Sequence, residues 1–228
     1  MSEGSQVMEL KVHKIFIVDD HELIRQGLCQ LVNGEIDMHI CGEAADVHGA
    51  LKMRNTLTPD LAIVDLSLPD GSGLDLIKQL HNWLPGMHII ALSMHDDELY
   101  AERALNCGAR GYINKQDSAH KLLVGIRQVM NNKIFVKPEI TEKIRKKSSI
   151  KTTGKNVLST NILTNRELQV FESIGQGIST KKTAQLLNVS IKTIESHRRH
   201  IKDKFNLYSG IELTRSAILW YLEKNQAK

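Results

Sequence analysis

Cysteine is scarce in this chain. Its 228 residues include three cysteines, Cys29, Cys41 and Cys107, with no CxxC spacing. An odd, scattered set argues against a disulfide framework and for a reducing compartment. No stretch approaches the ~18 consecutive apolar residues a membrane helix needs. The N-terminus carries Glu3 and Glu9 and no apolar core, so no secretory signal is visible and a cytoplasmic location, with no membrane partner, is expected. No internal repeat or low-complexity tract stands out. What is present is ordinary globular composition, 41% apolar and 25% charged, which excludes a mainly disordered or collagen-like chain. The length suits one large domain or two modest ones.

The net charge of +4 hides a division. Residues 1–140 hold 13 basic and 19 acidic residues, a net of −6, and residues 141–228 hold 17 basic and 7 acidic, a net of +10. An acidic module joined to a nucleic-acid-binding module is the expectation. Residues 145–162 (RKKSSIKTTGKNVLSTNI) are basic, rich in Ser, Thr and Asn, and poor in large apolar side chains; they read as a flexible linker. The expected division is a first domain over 12–135, a linker over 136–160 and a second domain over 161–226.

In the first half short apolar runs alternate with amphipathic segments. Strands are expected at Ile15–Val18, Met38–Cys41, Leu61–Val64, His88–Leu92 and Gly111–Ile113, and helices at Glu22–Val32, Val47–Asn55, Leu74–Trp83, Glu98–Asn106 and Ser118–Asn131. Five βα units predict an α/β, doubly wound, five-stranded parallel sheet with right-handed crossovers. Sites in such folds lie at the carboxyl ends of the strands. There the sequence offers Asp19 and Asp20 after the first strand, Asp65 at the end of the third, Ser93 at the end of the fourth and Lys115 after the fifth. Three carboxylates in one cleft repel each other unless neutralised. A divalent cation resolves this, and hard oxygen ligands with few protein contacts suit Mg²⁺. A lysine beside the metal makes a phosphoryl-binding site. The Ser93 hydroxyl can donate to a phosphoryl oxygen, and Asp65 is the natural nucleophile for an aspartyl-phosphate. Singly, each residue reads equally well as an N-cap, a turn former or a solvated cation. Four strand ends offering complementary chemistry make that reading poor.

Residues 14–131 resemble the receiver domain of a two-component response regulator, a flavodoxin-like fold. The matching stretches are IVDDH at 17–21, IVDLSLPDGSG at 63–73, ALSMHDD at 91–97 and GARGYINK at 108–115. The resemblance implies that Asp65 accepts phosphate from a histidine kinase. It also implies that Asp20, Asp65 and the backbone carbonyl of Ser67 coordinate Mg²⁺, with Asp19 helping mainly through water. Lys115 and Ser93 would bind the phosphoryl group, and Tyr112 would rotate inward as the switch aromatic. Leu68, Met94 and His95 depart slightly from the pattern.

The second half predicts an all-α domain of four helices. Thr164 and Glu167 match a capping box ahead of a helix with Leu168, Phe171 and Ile174 on its apolar face, ended by Gly175 and Gly177. A second helix is expected from about Thr180 to Leu187. The turn Asn188-Val189-Ser190 then supplies Ser190 as N-cap of a third. Ser209 and Glu212 give a second capping-box match ahead of a fourth. In the third, Ile194, Ile201 and Phe205 share one face, while Lys192, Ser196 and Arg199 fall opposite, with Glu195 at the flank. Two short helices joined by a tight turn make a helix-turn-helix, whose second helix enters the major groove of DNA. Lys192, Glu195, Ser196 and Arg199 are the base-reading candidates. Lys181, Lys182, Thr193, His197, Arg198, His200 and Lys204 are the phosphate-contacting ones. His197 and His200 lack the cysteines or carboxylates that would complete a metal site.

Residues 161–224 resemble the LuxR-type helix-turn-helix, carried by LTNRELQVFESIGQGISTKKTAQLLNVSIKTIESHRRHIKDKFNL at 163–207, with Lys182 where an acidic residue is often found. A receiver joined to this motif is similar to the NarL/FixJ family of response regulators. That resemblance implies a transcription factor switched by phosphorylation, homodimeric when phosphorylated, with a sensor histidine kinase, promoter DNA and RNA polymerase as partners. It implies no turnover enzyme. It also implies a reading helix masked by the inactive receiver and a fourth helix that pairs two DNA-binding domains. A phosphatase-like hydrolase is disfavoured because Leu66 and Ser67 follow Asp65 in place of a DxD signature. A regulator whose receiver works without phosphorylation is the alternative. A pure protein-interaction adaptor is disfavoured by the basic half.

Overall fold

The computed structural model describes residues 11–94, 98–142 and 160–226. Most of the expected linker falls on 143–159, and His95 on 95–97, all outside the described residues. The first half alternates β1 (His13–Val18), α1 (Glu22–Asn33), β2 (Met38–Ala44), α2 (Val47–Lys52), β3 (Leu61–Asp65), α3 (Gly73–Trp83), β4 (His88–Ser93), α4 (Glu98–Asn106), β5 (Gly111–Asn114) and α5 (Ala119–Met130). The strands form one sheet in the order β2-β1-β3-β4-β5, all pairs parallel. Each strand runs one to three residues beyond its apolar stretch, because sheet pairing extends into the polar strand ends. The segment expected as one helix over 47–55 is split: its last three residues, Met53–Asn55, tighten into a 3₁₀ turn.

Alternation along the strands divides the core. Ile15, Ile17, Leu61, Ile63, Ile90 and Leu92 pack with α1 and α5 on one face, and Phe16, Val18, Ala62, Val64, Ile89 and Ala91 with α3 and α4 on the other. Both faces are covered, as a parallel sheet requires. Strand direction then puts Asp19, Asp65, Ser93 and Lys115 at one edge. Gly73 is fixed by this geometry: a Cβ there would sit 2.0 Å from the carbonyl oxygen of Asp65.

The second half contains α6 (Asn165–Gly175), α7 (Thr180–Leu186), α8 (Ile191–Phe205) and α9 (Gly210–Gln226). Thr164 and Glu167 form the reciprocal capping box, and Ser179 and Ser190 cap α7 and α8. The second box closes differently: Ser209 Oγ accepts from Glu212 N–H, but Glu212 accepts from Tyr208 N–H. Phe171 packs against Phe205 and Trp220 at ring separations of 5.3 and 5.4 Å.

The two halves touch. The apolar cluster on the α3/α4 face runs on into Leu163, Leu168 and Phe171. Arg103 of α4 donates to the carbonyls of Leu163 (3.2 Å) and Thr160 (2.6 Å) and to Asn165 Oδ1 (2.9 Å). Tyr100 Oη donates to Glu172 Oε2 at 3.0 Å, and Lys224 of α9 donates to Glu172 Oε1 at 2.8 Å. Asn165 Nδ2 donates to Asp75 Oδ1 at 3.0 Å.

Candidate functional site

The strand ends bring Asp19, Asp65 and Lys115 into direct contact. Lys115 Nζ donates to Asp65 Oδ2 at 2.7 Å and lies 2.7 Å from Asp19 Oδ2. All three side chains are at most 3% exposed. Asp65 Oδ1 accepts from Ser67 N–H at 3.0 Å. Burial pushes the Asp65 carboxyl up to about 6 despite the pull of Lys115. Burial would lower Lys115, but the two facing carboxylates raise it instead. The site is an anionic pocket holding one cation, with more negative charge than that cation neutralises.

One ligand from each of Asp19, Asp20, His21 and Asp65 lies within 4.8 Å of the others. Asp19 Oδ2 is buried and shares the single Lys115 ammonium with Asp65, so two carboxylates lean on one cation. A buried carboxylate oxygen so placed fits a hard divalent cation. Asp19 and Asp20 do not cap α1, whose N-cap, His21, makes no side-chain cap bond. Asp19 Oδ1 instead accepts from His21 N–H, and Arg25 Nη1 donates to the Asp19 carbonyl at 2.7 Å. His21 was not singled out from the sequence; its Nδ1 lies 2.7 Å from Asp20 Oδ1, and its place directly after the paired aspartates was the available signal. Ser93 is fully buried, and its carbonyl accepts from Lys115 N–H at 2.8 Å. Tyr112 is already buried, at 6% exposure, in the apolar cluster on the α3/α4 face, and its N–H donates to the Phe135 carbonyl. Met94 is exposed.

On α8, Ile194 and Ile201 are buried, while Lys192, Glu195 and Arg199 are exposed and Ser196 is half-buried. Among the described residues the expected mask is not seen: the first half holds α6, and Lys192, Glu195 and Arg199 of α8 stay exposed. Lys181, Lys182 and His200 are exposed, and His197 and Arg198 are half-buried. Burial lowers the His197 imidazole below its usual range. Arg198 Nε lies 3.7 Å from Glu195 Oε2. Thr193 Oγ1 is 2.8 Å from Ser190 Oγ. Lys204 has an internal partner, donating to Glu167 Oε2 at 2.6 Å.

Comparison with known proteins agrees with both halves. The model of the response regulator receiver domain matches residues 15–127, and that of bacterial regulatory proteins of the luxR family matches residues 161–217. The oxygen regulatory protein NreC of Staphylococcus carnosus is 36% identical over 210 residues, 90% of this chain and 96% of that protein. The RcsB response regulator of Salmonella typhimurium has a similar structure, with TM-score 0.55 and 25% identity over 90% of this chain and 97% of that one. RcsB of Salmonella enterica serovar Typhimurium bound to promoter rprA with phosphomimetic BeF3⁻ has TM-score 0.58 and 22% identity, covering 91% of this chain and 98% of that one, and shares the fold. No described helix is long and apolar enough to cross a membrane. A receiver with an acidic pocket fit for a divalent metal, followed by a LuxR-type helix-turn-helix, places this chain in the NarL/FixJ family of two-component response regulators, which bind DNA and regulate transcription.

Proposed function

We propose that Asp65 is the phosphoacceptor of a receiver spanning residues 12–135, joined through a linker over 136–160 to a DNA-binding domain over 161–226. The observation that carries this is the pairing of buried Asp65 with Lys115, whose one ammonium also faces buried Asp19 Oδ2 at 2.7 Å. Asp19, Asp20, Asp65 and the Ser67 carbonyl would hold Mg²⁺, which would supply positive charge to the phosphoryl oxygens. The Asp65 carboxylate attacks the phosphorus of a kinase phosphohistidine, and the phosphorus–nitrogen bond breaks to leave an acyl phosphate. Lys115 then binds a phosphoryl oxygen, Ser93 donates its hydroxyl to another, and Tyr112 packs behind Ser93. The chain accepts one phosphoryl group and is not a turnover enzyme.

The added charge biases the helices after β4 and β5 between two arrangements. Two copies then pair and bind promoter DNA in the cytoplasm, with RNA polymerase as the downstream partner. Exposed Ile211, Ile218 and Leu219 on α9, flanking a groove of about 760 Å³ with Arg198 and Arg215, support pairing of the DNA-binding halves. Lys192, Glu195, Ser196 and Arg199 read bases. Lys181, Lys182, Thr193, His197, Arg198 and His200 face phosphates, while Lys204, expected among them, is held by Glu167. Acetyl phosphate with Mg²⁺ tests the assignment by intact mass: the wild-type chain gains one phosphoryl group and Asp65→Asn gains none. Equal phosphorylation of Asp65→Asn refutes it.

A further inference from the structure

The N-terminal turn of α6 reaches the loop that leaves Asp65. Arg166 Nη2 donates to the Leu68 carbonyl at 3.3 Å and to the Leu187 carbonyl at 2.9 Å, while Nη1 donates to Gln169 Oε1 at 2.9 Å. One guanidinium therefore spans the two halves of the chain, and only Leu66 and Ser67 separate Leu68 from Asp65. Ser67 and Leu68 pair with Ser72 and Gly71 in a two-residue antiparallel ladder. Successive carbonyls along such an extended segment point to opposite sides, so holding Leu68 from α6 constrains which way the Ser67 carbonyl faces. Ser67 also lines a cavity of about 210 Å³ closed by Gln169, Glu172 and Leu187. Arg166 is largely withdrawn from water, and that burial lowers its pKa; a guanidinium in such a place is worth its desolvation only when its donors are used.

We propose that Arg166, contributed by the DNA-binding half, is a positioning residue of the receiver's metal site: it tethers the Leu68 carbonyl and so preorganises the Ser67 loop for Mg²⁺. This rests on the reading of the Ser67 carbonyl as a metal ligand. Because the docked arrangement leaves Lys192, Glu195 and Arg199 exposed, the contact between the halves is felt at the metal site and not as a shield over the reading helix. Linkage is reciprocal: whatever factor docking adds to Mg²⁺ affinity, Mg²⁺ adds to docking.

Calorimetric titration of the full chain with MgCl₂ tests this. Arg166→Ala weakens Mg²⁺ binding roughly fivefold, the loss expected when a preorganised loop must be ordered by the ligand. Arg166→Lys, which keeps the charge and one donor direction, recovers part of it. Gln169→Ala removes a partner of Arg166 within its own helix and keeps wild-type affinity. Hydrogen exchange gives a second readout: Mg²⁺ slows exchange of the amides at 164–169 in the wild type but not in Arg166→Ala. Unchanged Mg²⁺ affinity in folded Arg166→Ala overturns the proposal, as does an equal loss in Gln169→Ala. If Arg166→Ala loses its helical circular dichroism, Arg103→Ala breaks the docking from α4, and unchanged affinity there overturns it equally. A wild-type chain that takes up no Mg²⁺ overturns the metal-site reading itself, a separate result.

Discussion

The basic side chains of the second half divide into those facing water and those used inside the fold, and DNA binding measured against salt separates them. Lys181 and Lys182 are exposed at the start of α7. Lys204 donates to Glu167, and Lys224 to Glu172 while lying 4.9 Å over the Trp220 ring. Each phosphate contact contributes about 0.9 to the slope of log affinity against log salt. A fourfold rise in salt, from 50 to 200 mM, therefore costs about 3.5-fold in affinity per contact. Lys181→Ala and Lys182→Ala each reduce the slope by about 0.9, and the double variant loses roughly twelvefold less affinity over that interval than the wild type. Lys204→Ala and Lys224→Ala leave the slope unchanged and lower the melting temperature instead. The assay is fluorescence anisotropy with a labelled 20-base-pair duplex at five salt concentrations. A slope unchanged in the Lys181/Lys182 double variant removes α7 from the interface. A slope reduced by Lys204→Ala as much as by Lys181→Ala shows that the Glu167 pair opens on DNA, and the division by internal partner fails.

Other variants probe the fold behind the sites. Glu167→Ala strips Thr164 N–H and Lys204 of their acceptor and removes the capping box; a loss of about 2–3 kcal/mol is expected in urea titration. Capping bonds and Lys204 overcome the effect of burial and hold the Glu167 carboxyl below its usual range. Its stabilisation is therefore present above the ordinary glutamate value and is lost as pH falls through the depressed one. Stability measured from pH 5 to pH 3 falls less steeply in Glu167→Gln than in the wild type. Gly73→Ala drives a methyl group against the Asp65 carbonyl; it destabilises the receiver by at least ~1–3 kcal/mol and weakens Mg²⁺ binding in calorimetry, because the loop behind Asp65 must shift.

The sequence by itself determined the elements and their order. Short continuous apolar runs separated by amphipathic segments allow little but a parallel sheet, and strand direction then sends Asp19, Asp65, Ser93 and Lys115 to one edge. The caps of α6 and α8 were legible because Thr164 and Ser190 bond amides only three residues away, a range at which chain geometry leaves little choice. Long-range partners were not legible. Nothing local pairs Lys204 with Glu167, 37 residues away, or Arg166 with Leu68, 98 residues away. The tertiary structure alone decided that Lys204 pairs with Glu167, that Tyr112 is already buried, and that the first half grips α6 while Lys192, Glu195 and Arg199 of α8 stay exposed. The physical reason is that a side chain's charge and reach are written in its type, whereas its partner depends on which surfaces the packed core brings together.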